Sequence, residues 1–111
     1  MYGYEREMMK TSYLSLTISI SMLILCANAA RAEANLAGQK VALVCTACHG
    51  AGGVSANDLW PNLAGQKKEY LVKQLLAFQS GERKDSMMSP IASTLSKEDV
   101  QSVAAYFSSL K

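Results

Sequence analysis

The chain predicts a small all-α domain of three main helices and short helical turns, preceded by a segment that lies outside the fold. Three observations carry this. Nowhere in the 111 residues does apolar character alternate with period two, whereas three stretches repeat it at helical spacing. Residues 1–32 have a composition of their own, apolar and almost free of charge beyond Lys10. Third, Cys45-Thr46-Ala47-Cys48-His49 places two thiols and an imidazole within little more than one helical turn. The length allows one domain at most.

The first segment reads as an export signal. Lys10 precedes an uncharged stretch, Leu14 to Ala27, and Ala30-Arg31-Ala32 then offers small residues at the two positions a signal peptidase reads. These features define residues 1–32 as a cleaved secretory leader and residues 33–111 as the mature domain. Glu5 and Glu7 are out of place in a basic leader and suggest that translation begins at Met8 or Met9. An uncleaved membrane anchor is the alternative, although Leu14 to Ala27 is short against the roughly 20 residues a spanning helix needs. A lipid-modified Cys26 is disfavoured because Leu25 before it is bulky.

In the mature part, Asn35 to Val44 is expected to form a short helix running into the cysteine motif, with Leu36, Val41 and Val44 as apolar contacts. Gly38 inside it costs about 1 kcal/mol relative to alanine, which a close crossing by another helix would explain. Lys67 to Ser80 is the central helix. Leu71, Leu75 and Phe78 share one face, Gly81 stands where a left-handed cap belongs, and Glu69 and Lys73 form an outward i,i+4 pair. Ser96 opens the last helix, with Asp99 completing a capping box and Val100, Val103, Ala104, Phe107 and Leu110 forming the stripe. Between these, 49–65 and 81–94 have the composition of loops.

Cys45 and Cys48, followed at once by His49, match the attachment signature for c-type haem. Each sulfur adds to one vinyl group of the porphyrin, so the thiols must sit one turn apart. The adjacent imidazole is then brought under the ring to ligate iron. A dithiol redox centre would want a neighbouring βαβ pattern. A zinc site would want four ligands, and the chain has three cysteines and one histidine, with Cys26 in the leader. Export leaves no spare thiol, and a covalently held porphyrin staples a domain otherwise marginal in size. The formal net charge of +2 is scattered, which implies no strong polyelectrolyte partner, so no nucleic acid is expected. Lys67, Lys68 and Lys73 diverge around their helix and read as solvated positions rather than a docking patch.

These residues resemble a known family, the class I cytochromes c, in the small bacterial branch that includes cytochrome c5, cytochrome c-553 and the half-domains of cytochrome c4. The resemblance runs through Cys45–Gly50, Pro61-Asn62-Leu63-Ala64-Gly65-Gln66, Tyr70-Leu71, Gln74-Leu75 and Gly81-Glu82-Arg83. It continues in Met88-Ser89-Pro90-Ile91-Ala92, Leu95-Ser96 and Val103-Ala104-Ala105-Tyr106-Phe107. Coverage is essentially Asn35 to Leu110.

The resemblance implies a small cytochrome c fold wrapped around one covalently attached haem c, with Cys45 and Cys48 as thioethers and His49 and Met88 as axial iron ligands. Met87, next to Met88, is the alternative ligand. The Pro61 carbonyl is expected to accept the proximal imidazole N–H, a bond that fixes the tautomer. Gly38 and Tyr106 fall where the first and last helices cross, and Arg83, Trp60 and Gln66 are candidates to bond a haem propionate. Sulfur and nitrogen on opposite faces of the iron close its coordination shell and raise its potential. The implied function is that of a periplasmic one-electron carrier, not an enzyme, with no small-molecule substrate. Its partners would be redox proteins of the dehydrogenase, cytochrome bc1 or terminal oxidase type, and it would touch the membrane only if the leader is retained. The alternative is a haem c subunit bound permanently in a dehydrogenase or oxidase complex. An open-iron haem enzyme or gas sensor is the more distant rival.

Overall fold

The computed structural model describes the backbone of residues 2–111 and the side chains of residues 5–111; Met1 of the expected leader lies outside them. Four α-helices follow one another: α1 (Tyr2–His49), α2 (Lys68–Ser80), α3 (Met88–Ser93) and α4 (Lys97–Ser109), with a 3-10 turn at Ala51–Gly53. There is no strand among the described residues, so the fold is all-α as expected. The chain divides into two compact units, Met1–Glu33 and Ala34–Lys111.

The first unit is one stretch of α1. Its large apolar side chains are open to solvent: Leu14, Met22, Leu23 and Leu25 are 64–72% exposed. The helix that contains it is long and apolar enough to cross a membrane. Counting the serines and threonines, the uncharged stretch runs from Thr11 to Ala30, longer than the bare apolar run that had argued against a span.

In the second unit, α1 continues to His49, five residues beyond the Val44 end that periodicity indicates. Helical backbone therefore carries both cysteines and the histidine. Leu36 is 53% exposed and makes no core contact, Val41 and Cys45 pack against the core beside buried Ala42 (2%), and Val44, 59% exposed, lines the cavity described below. A Cβ at Gly38 would run into the Ser102 carbonyl oxygen and lie 2.8 Å from the Tyr106 Cβ, so α1 and α4 cross here nearly backbone to backbone. Gly50 ends the helix at φ 84°, and a side chain there would overlap the Val54 carbonyl.

α2 follows its pattern. Leu71, Val72, Ala77 and Phe78 are buried, Leu75 is partly so, and Gly81 caps the helix at φ 78° with its N–H on the Phe78 carbonyl. The anticipated Glu69–Lys73 pair does not close: among the described residues the one salt bridge is Lys10–Glu7, as expected where ion pairing at the surface gains little over solvation. α4 supplies the centre of the core. Val100, Val103 and Phe107 are its largest fully buried side chains, each worth about 1.5–3 kcal/mol by burial. Its start is the expected capping box, with Ser96 Oγ accepting from the Asp99 N–H and the Asp99 carboxylate accepting from the Ser96 N–H at 3.0 Å.

The 81–94 segment is not simply a loop, because α3 lies within it. Its first turn accepts Pro90, which needs no donor there. Gln79 of α2 reaches across to donate from Nε2 to the carbonyls of Ala92 (2.8 Å) and Leu95 (2.9 Å), satisfying the C-terminal end of α3.

Two outcomes follow. Gly38→Val should destabilise the holoprotein by about 1–3 kcal/mol in denaturant unfolding, through overpacking at the crossing, although helix propensity alone would favour the change. The Asp99 carboxyl is held below the ordinary range by the Ser96 N–H and then the Ser96 hydroxyl. The unfolded chain therefore takes up the proton first. The cap's contribution is complete above the ordinary carboxyl value of about 4 and fades as pH falls through the lower folded value. Ser96→Ala should remove part of this acid dependence in thermal unfolding, with a loss of about 1 kcal/mol at neutral pH.

Candidate functional site

The last turn of α1, the 51–67 loop, α2 and α3 enclose a cavity of about 470 Å³ within the second unit. Cys45, Cys48 and His49 line it from α1, Pro61 from the loop, and Met87 and Met88 from α3. Every residue that the sequence nominated for a site thus opens on one space. Trp60, Gln66 and Arg83 line it too, whereas Lys67, Lys68 and Lys73 do not. The rest of the wall is largely aliphatic and aromatic, with Leu71, Phe78, Val103 and Phe107 from α2 and α4.

His49 is the buried polar side chain of the described residues, at 7% exposure. Its Nδ1 lies 2.8 Å from the Pro61 carbonyl oxygen, twelve residues along the chain. A carbonyl only accepts, so Nδ1 carries the proton and Nε2 keeps its lone pair. The loop that delivers Pro61 is tied down at both ends. The Gly53 carbonyl accepts from Leu63 N (2.8 Å) and Ala64 N (3.0 Å), and Gly65 N donates to Phe107 O at 2.9 Å. Asn62 Oδ1 accepts from Ser55 N at 2.7 Å, closing the turn.

The Cys45 thiol bears on the rival readings. Burial pushes the Cys45 thiol up, partly offset by a backbone hydrogen bond, and its sulfur sits 4.0 Å from the Val41 carbonyl. Dithiol redox centres need a thiolate and depress the pKa of the attacking cysteine; Cys45 shifts the other way. Among the described residues no group of three or more His, Cys, Asp or Glu side chains is placed to hold a metal ion. A planar apolar macrocycle fits instead: two thiols at one edge, an imidazole with a free Nε2, a thioether-bearing wall and a mostly apolar lining.

Three residues that periodicity and motif spacing did not single out shape this wall. Gln74 Oε1 accepts from Arg83 Nη1 at 2.6 Å, and the Arg83 guanidinium lies 4.6 Å over the Phe78 ring, a cation–π position. Gln79 ties down the end of α3. Asp85 holds its beginning: Oδ1 accepts from both Met87 N and Met88 N at 2.8 Å. These bonds, Met88's first and then Met87's, keep the Asp85 carboxyl below its ordinary range. Its spacing, an aspartate three residues before Met88 with Pro90 just beyond, is a helix-start signal legible in the chain.

An all-α shell with two cysteines, a tautomer-fixed imidazole and two thioethers around one cavity defines a haem-attaching class of protein. Comparison with known proteins gives the family: the family model described as Cytochrome c matches residues 36–111, and the chain belongs to the cytochrome c family. Members of that family are electron-transfer proteins rather than enzymes, and their cofactor is covalently bound haem c. The chain is 45% identical over 75 residues to a cytochrome c4 of Pseudomonas aeruginosa, matching 68% of this chain and 37% of that one. It is 41% identical over 76 residues to cytochrome c-554(548) of Halomonas halodenitrificans, matching 66% of this chain and 92% of the relative. A solved thiosulfate dehydrogenase (TsdBA) from Marichromatium purpuratum superposes with a TM-score of 0.59 at 38% identity, over 60% of this chain and 15% of that one. The chain thus spans little more than a third of the cytochrome c4 relative and most of the c-554(548) relative.

Changing Cys45 and Cys48 together to serine should abolish covalent haem. A fully empty cavity of this size has an upper-limit cost on the order of 10 kcal/mol at ~24 cal/mol/Å³, comparable to the whole stability of a domain. Circular dichroism of the exported double variant should show no cooperative melt; a melt like that of the parent would contradict this reading.

Proposed function

We propose that the protein is a periplasmic one-electron carrier whose single haem c is joined through Cys45 and Cys48 and ligated by His49 and Met88. The observation that carries this is the His49 Nδ1–Pro61 bond of 2.8 Å, which leaves Nε2 alone free to ligate a metal in the cavity. Met88, half-buried on α3, lines the same cavity.

Bound haem supplies a reversible one-electron change at iron, and the protein's residues set its conditions. Pro61 holds the imidazole in one tautomer and raises its basicity as a ligand. A thioether from Met88 favours the ferrous state, and the apolar walls from α2 and α4 exclude the water that would stabilise the ferric charge. Were iron held by both His49 and Met88, these side chains would leave oxygen and peroxide no site to enter. The His49 and Met88 groups thereby restrict the centre to electron transfer.

Redox proteins are the fitting partners, docking briefly over a small area below about 1,200 Å². Residues 1–32 serve as the export leader under this reading, leaving 33–111 as the mature domain. A second reading has one observation in its favour: a like domain forms 15% of the chain of a thiosulfate dehydrogenase. A permanent place in such a dehydrogenase or an oxidase complex would show as co-purification in a larger assembly, and the shuttle reading predicts a free monohaem protein.

Met88→Ala should lower the reduction potential by on the order of 0.1–0.3 V, within the ~0.8 V range that axial ligands span, and admit carbon monoxide to the ferrous protein. If Met87→Ala produces these changes and Met88→Ala does not, the ligand is the neighbouring residue.

A further inference from the structure

Two methionines stand side by side at the cavity, and each has a flexible thioether long enough to compete for the same position. We infer that Asp85 is the positioning residue that assigns the axial thioether to Met88 rather than Met87, by fixing where α3 begins. The inference rests on the reading that a methionine of this pair ligates the iron.

Asp85 caps the turn that leads into α3, since one carboxylate oxygen accepts from the N–H groups two and three residues on, at 2.8 Å each. The Ser89 N–H donates to the Asp85 carbonyl at 3.1 Å, the first bond of the helical turn, and the Ser89 hydroxyl accepts from the Asp85 N–H at 3.1 Å. The turn is thus locked from both sides at one register. Ser93 Oγ bonds the Ser89 carbonyl at 2.8 Å, and Gln79 holds the far end of the helix.

Successive helical residues point about 100° apart, so a turn fixed at Asp85 sets Met87 and Met88 in different directions and favours one of them. The burial agrees with that choice. Met87 is 50% exposed and Met88 is less so. Without the carboxylate the two N–H groups lose their shared acceptor. The first turn can then shift by one residue, which rotates Met87 towards the place Met88 held.

The test is proton NMR of the reduced holoprotein, in which an iron-bound methionine methyl is displaced far upfield by the porphyrin ring current. The native protein should show one such set, assigned to Met88 by selective labelling. Asp85 is exposed, so Asp85→Ala leaves the core in place. It should produce a second set from Met87, with the ratio of Met88- to Met87-ligated protein falling by about fivefold or more, the factor carried by loss of a typical helix cap. Adding Met87→Ala to Asp85→Ala should remove the second set, and Asp85→Asn, whose amide oxygen accepts the same two N–H groups, should restore the single native set. A single native Met88 set in Asp85→Ala overturns the inference, as does failure of Asp85→Asn to rescue a mixed spectrum. If the native protein shows no upfield methionine set, the ligand reading itself fails, and the inference goes with it.

Discussion

The hydrogen bond from His49 Nδ1 to the Pro61 carbonyl ties together parts of the fold that are otherwise separate. It joins the end of α1 to the 51–67 loop across the mouth of the cavity. Through Gly65 N and the Phe107 carbonyl, the same loop is fastened to the C-terminal end of α4, where Phe107 is 2% exposed. The imidazole is therefore positioned by the hydrophobic core and not by a loop free to drift. Nδ1 is satisfied by this bond, His49 lines the cavity, and none of the described fully buried side-chain nitrogens or oxygens lacks a partner. The second nitrogen is the one that the proposed role gives to iron.

The opposite wall is built to the same standard of fixity. α3 has only six residues, too few to be stable alone. It persists because its donors are met by Asp85 at one end and its carbonyls by Gln79 at the other. A short helix held at both ends is a rigid bracket. In the proposed role this matters, because a carrier works best when its ligands do not rearrange between oxidation states. Gly38 contributes at a distance by letting α1 lie against α4 nearly backbone to backbone, which sets where Cys45, Cys48 and His49 emerge.

Most of this was legible in the chain. The helical stripes of α2 and α4 and their caps could be read because buried aliphatic spacing, a left-handed glycine and a Ser–Asp capping box each have a local cause. The attachment motif was legible for the same reason. The limits have physical reasons too. Of the apolar contacts that periodicity names on α1, Val41 packs on the core and Val44 lines the cavity, whereas Leu36 stays exposed and Ala42 is buried. The end of the first helix was missed because cysteine and histidine are indifferent helix formers; tertiary packing and Gly50 decide where it stops. α3 was read as loop since its six residues carry no stripe, and what stabilises it comes from Gln79, nine residues before Met88. The Asp85 signal was local and could have been found. The Gln74–Arg83 bond could not, since no pattern links residues on different elements without the fold.

The account turns on which imidazole nitrogen holds the proton. Nitrogen-15 NMR of His49 in the reduced holoprotein reads this directly. The account predicts a slowly exchanging proton on Nδ1, coupled across the hydrogen bond to the Pro61 carbonyl, and an unprotonated Nε2 shifted by iron. A proton found on Nε2, or an Nδ1 that bears none, would contradict it.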